Sequence, residues 1–295
     1  MTDTTTLTEL RPLVFSIAYR MLGEVAEAED IAQETLLRAH RELAGGTEIA
    51  HPKAYMTAIA TRLSIDHLRS ARVRREAYVG PWLPEPLLET AGADGDLAAD
   101  AERADDLSLA FLVVLERLTP DERAVFLLRE AFDYKFGEIA EIVGKSPAAC
   151  RQLGARARRH VVTERPRFEP SRAAREELAA RFLAAARGDD LDGLLALLAD
   201  DAVLTGDGGG KAAAFPAPLH GGEKVAHALR AFFRQGARMG ATVTPAAVNG
   251  QPGWIAHDPG GAVLVVMALE IVGGRVAGIS SVVNPDKLAH LGPTR

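Results

Sequence analysis

The chain has 295 residues, 47% hydrophobic and 25% charged, the make-up of a soluble globular protein of two or three domains. Its most apolar run, Ala262 to Leu269, is far too short for a membrane span, Met1 to Thr4 carries neither a basic start nor an apolar signal core, and a lone Cys150 excludes an internal disulfide and a Cys-based metal cage. A net charge of −6 argues against nucleic acid as a partner for the whole chain, but its distribution argues the other way, because local charge sets contact with phosphate.

Leu7 to Glu42 reads helical. Glu24 to Glu34 carries five acids and no bases around Val25, Ala28 and Ile31. Ala44-Gly45-Gly46-Thr47 breaks the helix, and Pro52 opens another that runs to about Arg75, with Tyr55, Met56, Ile59, Leu63, Ile65 and Leu68 at helical spacing. Residues 1–76 are therefore expected to form a compact all-α unit. His51 to Gly80 holds six basic residues against two acids.

Residues 77–106 read as a linker, with Pro81, Pro84 and Pro86 followed by glycines and by seven acids between Glu89 and Asp106. Tyr78, Trp82 and Leu83 are unusual in a passive tether and point to docking on a neighbouring domain. Residues 107–165 read as a second helical unit. Thr119 caps a helix with Pro120 at its first position and acids in its first turn. The segment Phe136 to Leu153 then has the pattern of a helix-turn-helix: small Ala140, Gly144 at the turn, Ser146 as cap, Pro147 after it, and Ile139, Ile142, Cys150 and Leu153 as apolar contacts. This places Ser146, Ala148, Ala149, Arg151 and Gln152 towards a major groove and Arg156, Arg158 and Arg159 towards phosphates. Cys150 reads as a small buried residue rather than a redox sensor.

Beyond Pro166 to Pro170 the texture changes. Ala173 to Ala186, Leu191 to Leu198 and Val225 to Phe233 read as helices, and Ala241 to Val248, Ala262 to Ile271 and Val276 to Val283 as strands, an α+β domain over residues 172–295. Twelve basic and twelve acidic residues leave this part no electrostatic claim on DNA.

Three ordered stretches resemble the extracytoplasmic-function sigma factors. They are Ala28-Glu-Asp-Ile-Ala-Gln-Glu-Thr-Leu-Leu-Arg-Ala, the run from Ala54 to Arg69, and Leu118 to Glu130 continuing through the helix-turn-helix to Arg158. They are similar to sigma regions 2 and 4. The resemblance implies that Asp30, Gln33, Glu34 and Leu37 grip RNA polymerase core at the β′ clamp, with region 4 at the β flap. It implies that the loop Ala44 to His51 captures a flipped base of the minus-ten element, with Arg62, Arg69, Arg72, Arg74 and Arg75 on the adjoining DNA backbone, and that the helix-turn-helix reads the minus-thirty-five element. Tyr55 stands where the family usually has tryptophan, and Arg62 where asparagine is frequent.

The third domain resembles the SnoaL-like branch of the nuclear-transport-factor-2 superfamily, a cone-shaped α+β fold. Three motifs are similar to the SigJ-like subgroup: Trp82-Leu-Pro-Glu-Pro, Asp207-Gly-Gly-Gly-Lys and Asn284-Pro-Asp-Lys-Leu. They single out Trp82, Pro84, Asp207, Gly208, Gly209, Gly210, Lys211, Asn284, Pro285, Asp286, Lys287 and Leu288 as interdomain regulatory residues. The resemblance implies that the extension adjusts sigma activity in cis and replaces a separate anti-sigma factor. Asp207 to Lys211 reads as a mobile loop able to reach a partner surface. It lacks the first glycine and the Ser or Thr of a phosphate loop, so nucleotide binding is rejected. Asp207, His220, Trp254, His257 and Asp258 form the one polar set an enzyme reading would use, and their spacing demands no catalysis. No catalytic residue, metal or cofactor is expected, and the protein is expected to be a cytoplasmic monomer. The rival is a one-component helix-turn-helix regulator with a ligand domain, which would have no need of the acidic helix and base-capture loop.

Overall fold

The computed structural model describes residues 4–76, 78–89, 108–162 and 171–294, with residues 4, 71–76 and 162 described by backbone alone. The chain divides into two compact units. The first holds helices α1 (Thr4–Glu9), α2 (Arg11–Leu22), α3 (Val25–Ala44) and α4 (Pro52–Glu76). After α5 (Leu109–Leu115) it continues with α6 (Pro120–Glu130), α7 (Phe136–Val143) and α8 (Pro147–Val162). The expected single N-terminal helix is broken because Gly23 adopts φ 70° and its N–H closes on the Tyr19 carbonyl, turning the chain so that α3 packs back on α2.

Expected caps appear where the sequence places them. At α6 the Glu122 N–H donates to Thr119 Oγ1 at 3.3 Å and the Thr119 N–H to Glu122 Oε2 at 3.1 Å, a reciprocal capping box. Gly144 ends α7 with φ 67°, a left-handed conformation that a side chain at this position would strain. Ser146 Oγ then accepts the Ala149 N–H at 3.2 Å and starts α8. Ile139, Ala140, Ile142, Cys150 and Leu153 are buried together with Val125, Leu128 and Tyr134, and this core fixes the two helices of the helix-turn-helix.

The second unit comprises residues 78–89, residues 108–111 at the start of α5, and the C-terminal domain. After α9 (Arg172–Arg187) and α10 (Leu191–Leu197) come β1 (Leu198–Asp207), β2 (Leu219–His220), α11 (Gly222–Arg238), β3 (Thr242–Val248), β4 (Gln251–His257), β5 (Val263–Val272) and β6 (Arg275–Val282). A short α12 (Pro285–Leu288) and a 3₁₀ turn follow. The six strands run in the order β2-β1-β6-β5-β4-β3, with β1 and β6 parallel and the other neighbours antiparallel. The helices bury Phe182, Leu194, Leu229 and Phe233 together with Trp254, Met267 and Leu269 of the sheet.

Three strands differ from the sequence expectation, and one of them, β2, has only two residues and so no alternation to read. β1 follows α10 without a break, and its buried positions, Leu198, Ala202 and Leu204, are interrupted by Asp200 and Asp201, with a register shift against β6. The alternation that marks a half-buried strand is therefore lost at its start. β4 opens with Gln251-Pro-Gly, a composition that argues against a strand. It pairs along its whole length with β3 and from Gly253 to His257 with β5, so its neighbours hold it as a strand.

Candidate functional site

The three short motifs, separated by about 120 and 75 residues in sequence, meet at one point. Asp207 ends β1 and is fully buried. Its carboxylate accepts the Leu83 N–H at 2.8 Å, the Tyr78 hydroxyl, and Lys287 Nζ at 2.7 Å. Lys287 is itself buried and also donates to the Leu83 carbonyl. Its ammonium lies 4.2 Å from the Trp82 ring centroid and 4.8 Å from that of Tyr78. A buried cation is tolerated here because a carboxylate, a carbonyl and two aromatic faces replace its water.

Asn284 places Lys287. Its Oδ1 accepts the Asp286 N–H at 3.1 Å to cap α12, and its Nδ2 donates to the Tyr78 hydroxyl at 2.9 Å. Burial, followed by the bond to Asp207, drives the Tyr78 hydroxyl well above the usual phenol range, so it stays protonated as a donor. Gly209 packs where a Cβ would stand 2.2 Å from Asn284 Nδ2 and 2.9 Å from the Tyr78 hydroxyl, with φ +56°. Only glycine meets both demands. Gly210 packs against Val79, and Lys211 pairs with Asp286. The loop expected to be mobile and outward-reaching therefore faces the chain's own linker, with its leading aspartate buried rather than presented to a partner.

The linker segment continues as a strap. Leu83, Pro84 and Pro86 are buried. His290 Nε2 lies 2.8 Å from the Pro86 carbonyl, and burial holds its pKa below the usual imidazole value. The Leu87 N–H donates to Asn249 Oδ1 at 2.9 Å, the Asn249 N–H to the Leu87 carbonyl at 2.8 Å, and the Glu89 N–H to the Ala247 carbonyl at 3.0 Å. Residues 87–89 thus add to the β3 edge of the sheet, with Leu88 bridged to Val248. Asn249 and His290 were not singled out from the sequence. The Asn-Gly at 249–250, with Asn249 at φ 52°, marks a hairpin but not a docking role.

In the first unit, Asp30, Gln33 and Leu37 are exposed and Glu34 partly so, on one face of α3 at the spacing of successive turns. Leu37 is 43% exposed, an apolar position on that face. On α8, Ala148, Arg151 and Gln152 are exposed, as is Ser146 at its cap. Arg156 pairs with Glu122 at 2.9 Å and Arg158 with Glu130 at 2.6 Å, while Arg159 is exposed. Arg62 and Arg69 of α4 turn to the helix-turn-helix half of the unit: Arg62 donates to the Glu141 and Ile142 carbonyls, and Arg69 lies 3.3 Å from Asp121. Arg72, Arg74 and Arg75 lie on the backbone of α4, their side chains outside the described residues. Of the seven acids between Glu89 and Asp106, all but Glu89 also lie outside the described residues. Cys150 is fully buried and burial raises its thiol, as a core cysteine requires.

The polar set of the enzyme reading is dispersed. His220 is on edge strand β2, Asp207 on β1, and Trp254 and His257 on β4, three strand spacings from β1, or about 14 Å. Trp254 is buried between Phe182 and Phe233, and Asp258 accepts the N–H groups of Gly260 and Ala262 in a turn. Among the described residues, Glu24, Glu27 and His67 form the one group with metal-ligand spacing. His67 Nδ1 lies 3.3 Å from Glu27 Oε2, an ion-pair geometry at the start of α3. No helix of the described residues is long and apolar enough to cross a membrane.

A helical unit bearing a helix-turn-helix and a helix with an acidic face, joined by a strap to an α+β sheet domain, defines a two-part DNA-reading subunit with a fused accessory domain. The chain matches the sigma-70 region 2 family over residues 6–74, the sigma-70 region 4 family over 108–161 and the SnoaL-like domain over 179–278. It is 40% identical to the extracytoplasmic-function sigma factor SigJ of Mycobacterium tuberculosis, covering 94% of this chain and 90% of that protein. It is 31% identical to a probable sigma factor of the same class, SigI, from that organism, covering 95% and 93%. The crystal structure of Mycobacterium tuberculosis SigJ superposes with a TM-score of 0.78 at 35% identity, over 97% of this chain and 98% of that one. The chain belongs to the extracytoplasmic-function sigma factors of RNA polymerase. It is a SigJ-related sigma factor with a SnoaL-like extension, and its partners as a class are RNA polymerase core and promoter DNA.

Proposed function

We propose that the SnoaL-like domain regulates this sigma factor in cis by holding the linker between regions 2 and 4. The observation that carries this reading is the buried Asp207–Lys287 pair, which clamps Tyr78, Trp82 and Leu83 of the linker. The strap begins two residues after α4, so its docking governs the path of the chain that must connect the two promoter-reading regions. Tethering supplies an effective concentration in the millimolar range, so modest contacts suffice, and no separate anti-sigma factor is needed. The domain works as a regulator and not as a catalyst, and the protein acts as a monomer.

In this reading Asp30, Gln33, Glu34 and Leu37 dock on the β′ clamp, where opposite charge orients encounter, and region 4 meets the β flap. Ser146, Ala148, Arg151 and Gln152 face the minus-thirty-five element. Arg156, Arg158 and Arg159 contact its phosphates, and Arg62, Arg69, Arg72, Arg74 and Arg75 the backbone beside the minus-ten element. The test is transcription by purified polymerase core from a promoter library, with full-length protein, with Asp207→Ala, and with a version ending near Arg167. The expected result is promoter-specific transcripts whose yield changes in both altered proteins. Equal yields from all three would refute regulation by the strap.

A further inference from the structure

The geometry points to a divalent-metal site of the zinc class where α3 meets α4, with Glu24, Glu27 and His67 as its three protein ligands. The site lies within the first unit and is independent of the strap.

The chain turns at Gly23, which places Glu24 at the N-cap of α3 and Glu27 one turn further on, along the same side of the helix. An acid at an N-cap can accept a helical N–H, but the Glu24 side chain makes no such bond. It lies instead near Glu27 and His67. One oxygen of each glutamate and one ring nitrogen all stand within 4.8 Å of one another. α3 packs against α4, and Ala28 and Leu68, each next in sequence to a ligand, are buried. The backbone that carries Glu27 and His67 is thus held by rigid elements, as a metal site requires. Glu27 and His67 are 40 residues apart, so no ligand spacing shows in the sequence.

The distances suit zinc. Zn–N and Zn–O bonds of about 2.0–2.2 Å at the tetrahedral angle set two ligand atoms about 3.3–3.5 Å apart. His67 Nδ1 and Glu27 Oε2 stand at 3.3 Å. Glu24 has to close by little more than about 1 Å, a small change of side-chain torsion. The His67 side chain is 17% exposed and that of Glu27 32%, so the set is sheltered but leaves a fourth position open to water. Two carboxylates held this close repel each other, and a dication bound with a neutral imidazole turns that repulsion into attraction. The α3 dipole opposes a cation here, but only weakly at a partly exposed helix end. The nitrogen donor argues against magnesium and calcium, and the lack of a thiolate against copper(I). Two neighbouring acids are engaged elsewhere: Glu29 pairs with Arg11, and Glu34 with Arg38 at 2.7 Å. The ligand set is therefore narrower than the acidic run around it. Bound metal staples the start of α3, the helix whose exposed face carries Asp30, Gln33 and Leu37, to α4.

The test is calorimetric titration of the full-length protein with zinc chloride. One site per chain is expected, with a dissociation constant of about 1–10 μM, weaker than that of four-ligand structural sites. Glu27→Gln and His67→Gln should each weaken it by more than about tenfold, the least that loss of even an outer partner costs. Glu24→Gln repeats the test at a side chain that caps no helical N–H. Glu29→Gln, on the same turn but paired with Arg11, should leave zinc affinity unchanged. Saturating zinc should raise the unfolding temperature of the unsubstituted protein, and equimolar magnesium should not. Circular dichroism of the zinc-free variants should match the unsubstituted protein. Zinc binding weaker than about 1 mM, an equal response to magnesium, or an affinity that Glu27→Gln or His67→Gln leaves unmoved would overturn the site.

Discussion

Asp207→Ala removes one acceptor from three donors at once. Lys287 is left buried, with the Leu83 carbonyl and the Trp82 and Tyr78 rings but without the Asp207 carboxylate. Removing one member of a buried pair costs about 3–5 kcal/mol. The carbonyl and rings retain part of the solvation, so the lower end, about 3 kcal/mol, is expected for strap docking, a factor of about 150 at about 1.4 kcal/mol per decade. The assay is amide hydrogen exchange at Leu87 and Glu89, which reports local opening. Their acceptors, Asn249 Oδ1 and the Ala247 carbonyl, are untouched by the substitution, whereas the Leu83 amide loses its acceptor directly. Exchange at Leu87 and Glu89 should accelerate about a hundredfold. Adding Lys287→Met should restore most of the protection, since a pair replaced by apolar groups strands no charge. Exchange within about threefold of the unsubstituted protein would refute the strap energetics.

Gly209→Ala should raise exchange at the same two amides at least about tenfold, because it forces a left-handed residue and a Cβ into Asn284 and Tyr78. Gly144→Val should lower the thermal stability of the first unit by about 1–2 kcal/mol or more, since φ 67° is costly for a β-branched residue, and calorimetry of the full chain should show the loss in one transition only. Strap docking should weaken on acidification: His290 has its folded pKa lowered by burial, so the undocked state binds more protons and docking is lost as pH falls through the ordinary imidazole range near about 6.5. Tryptophan emission of Trp82 between pH 7.5 and 5.5 (about two units around that value) should follow this loss, and His290→Gln should flatten it. Arg151→Ala should cost about 1–3 kcal/mol in promoter binding by the holoenzyme and relax preference at one base pair of the minus-thirty-five element, whereas Arg159→Ala should weaken all sequences equally and reduce the salt slope; a uniform loss in both would refute the assigned groove face.

The helix-turn-helix was legible because its signals are local. Gly144, Ser146 and Pro147 are conformational instructions within four residues, and Ile139, Ile142, Cys150 and Leu153 bury as their spacing requires. The same holds for the Thr119 cap and the exposed face of α3. β1 was missed because Asp200 and Asp201 and the register shift hide its alternation, and β4 because Pro252 and Gly253 speak against a strand that its neighbours impose. Arg62 illustrates a different limit. Its charge was plain, but whether it meets a phosphate or a helix end depends on a contact 80 residues away.

The sequence alone determined the local elements, the charge blocks and the ordered motifs, and with them membership among the extracytoplasmic-function sigma factors. Helix caps, turn glycines and hydrophobic periods act over a few residues and need no partner to be read. Only the tertiary structure decided that Asp207 is the buried acceptor of the linker rather than the start of a free loop, that Lys287 is caged by Trp82 and Tyr78, and that Arg62 caps α7. Burial sets the strength of these charged contacts, and burial is a property of the assembled fold: the same carboxylate and ammonium in water would attract each other by about 1 kcal/mol.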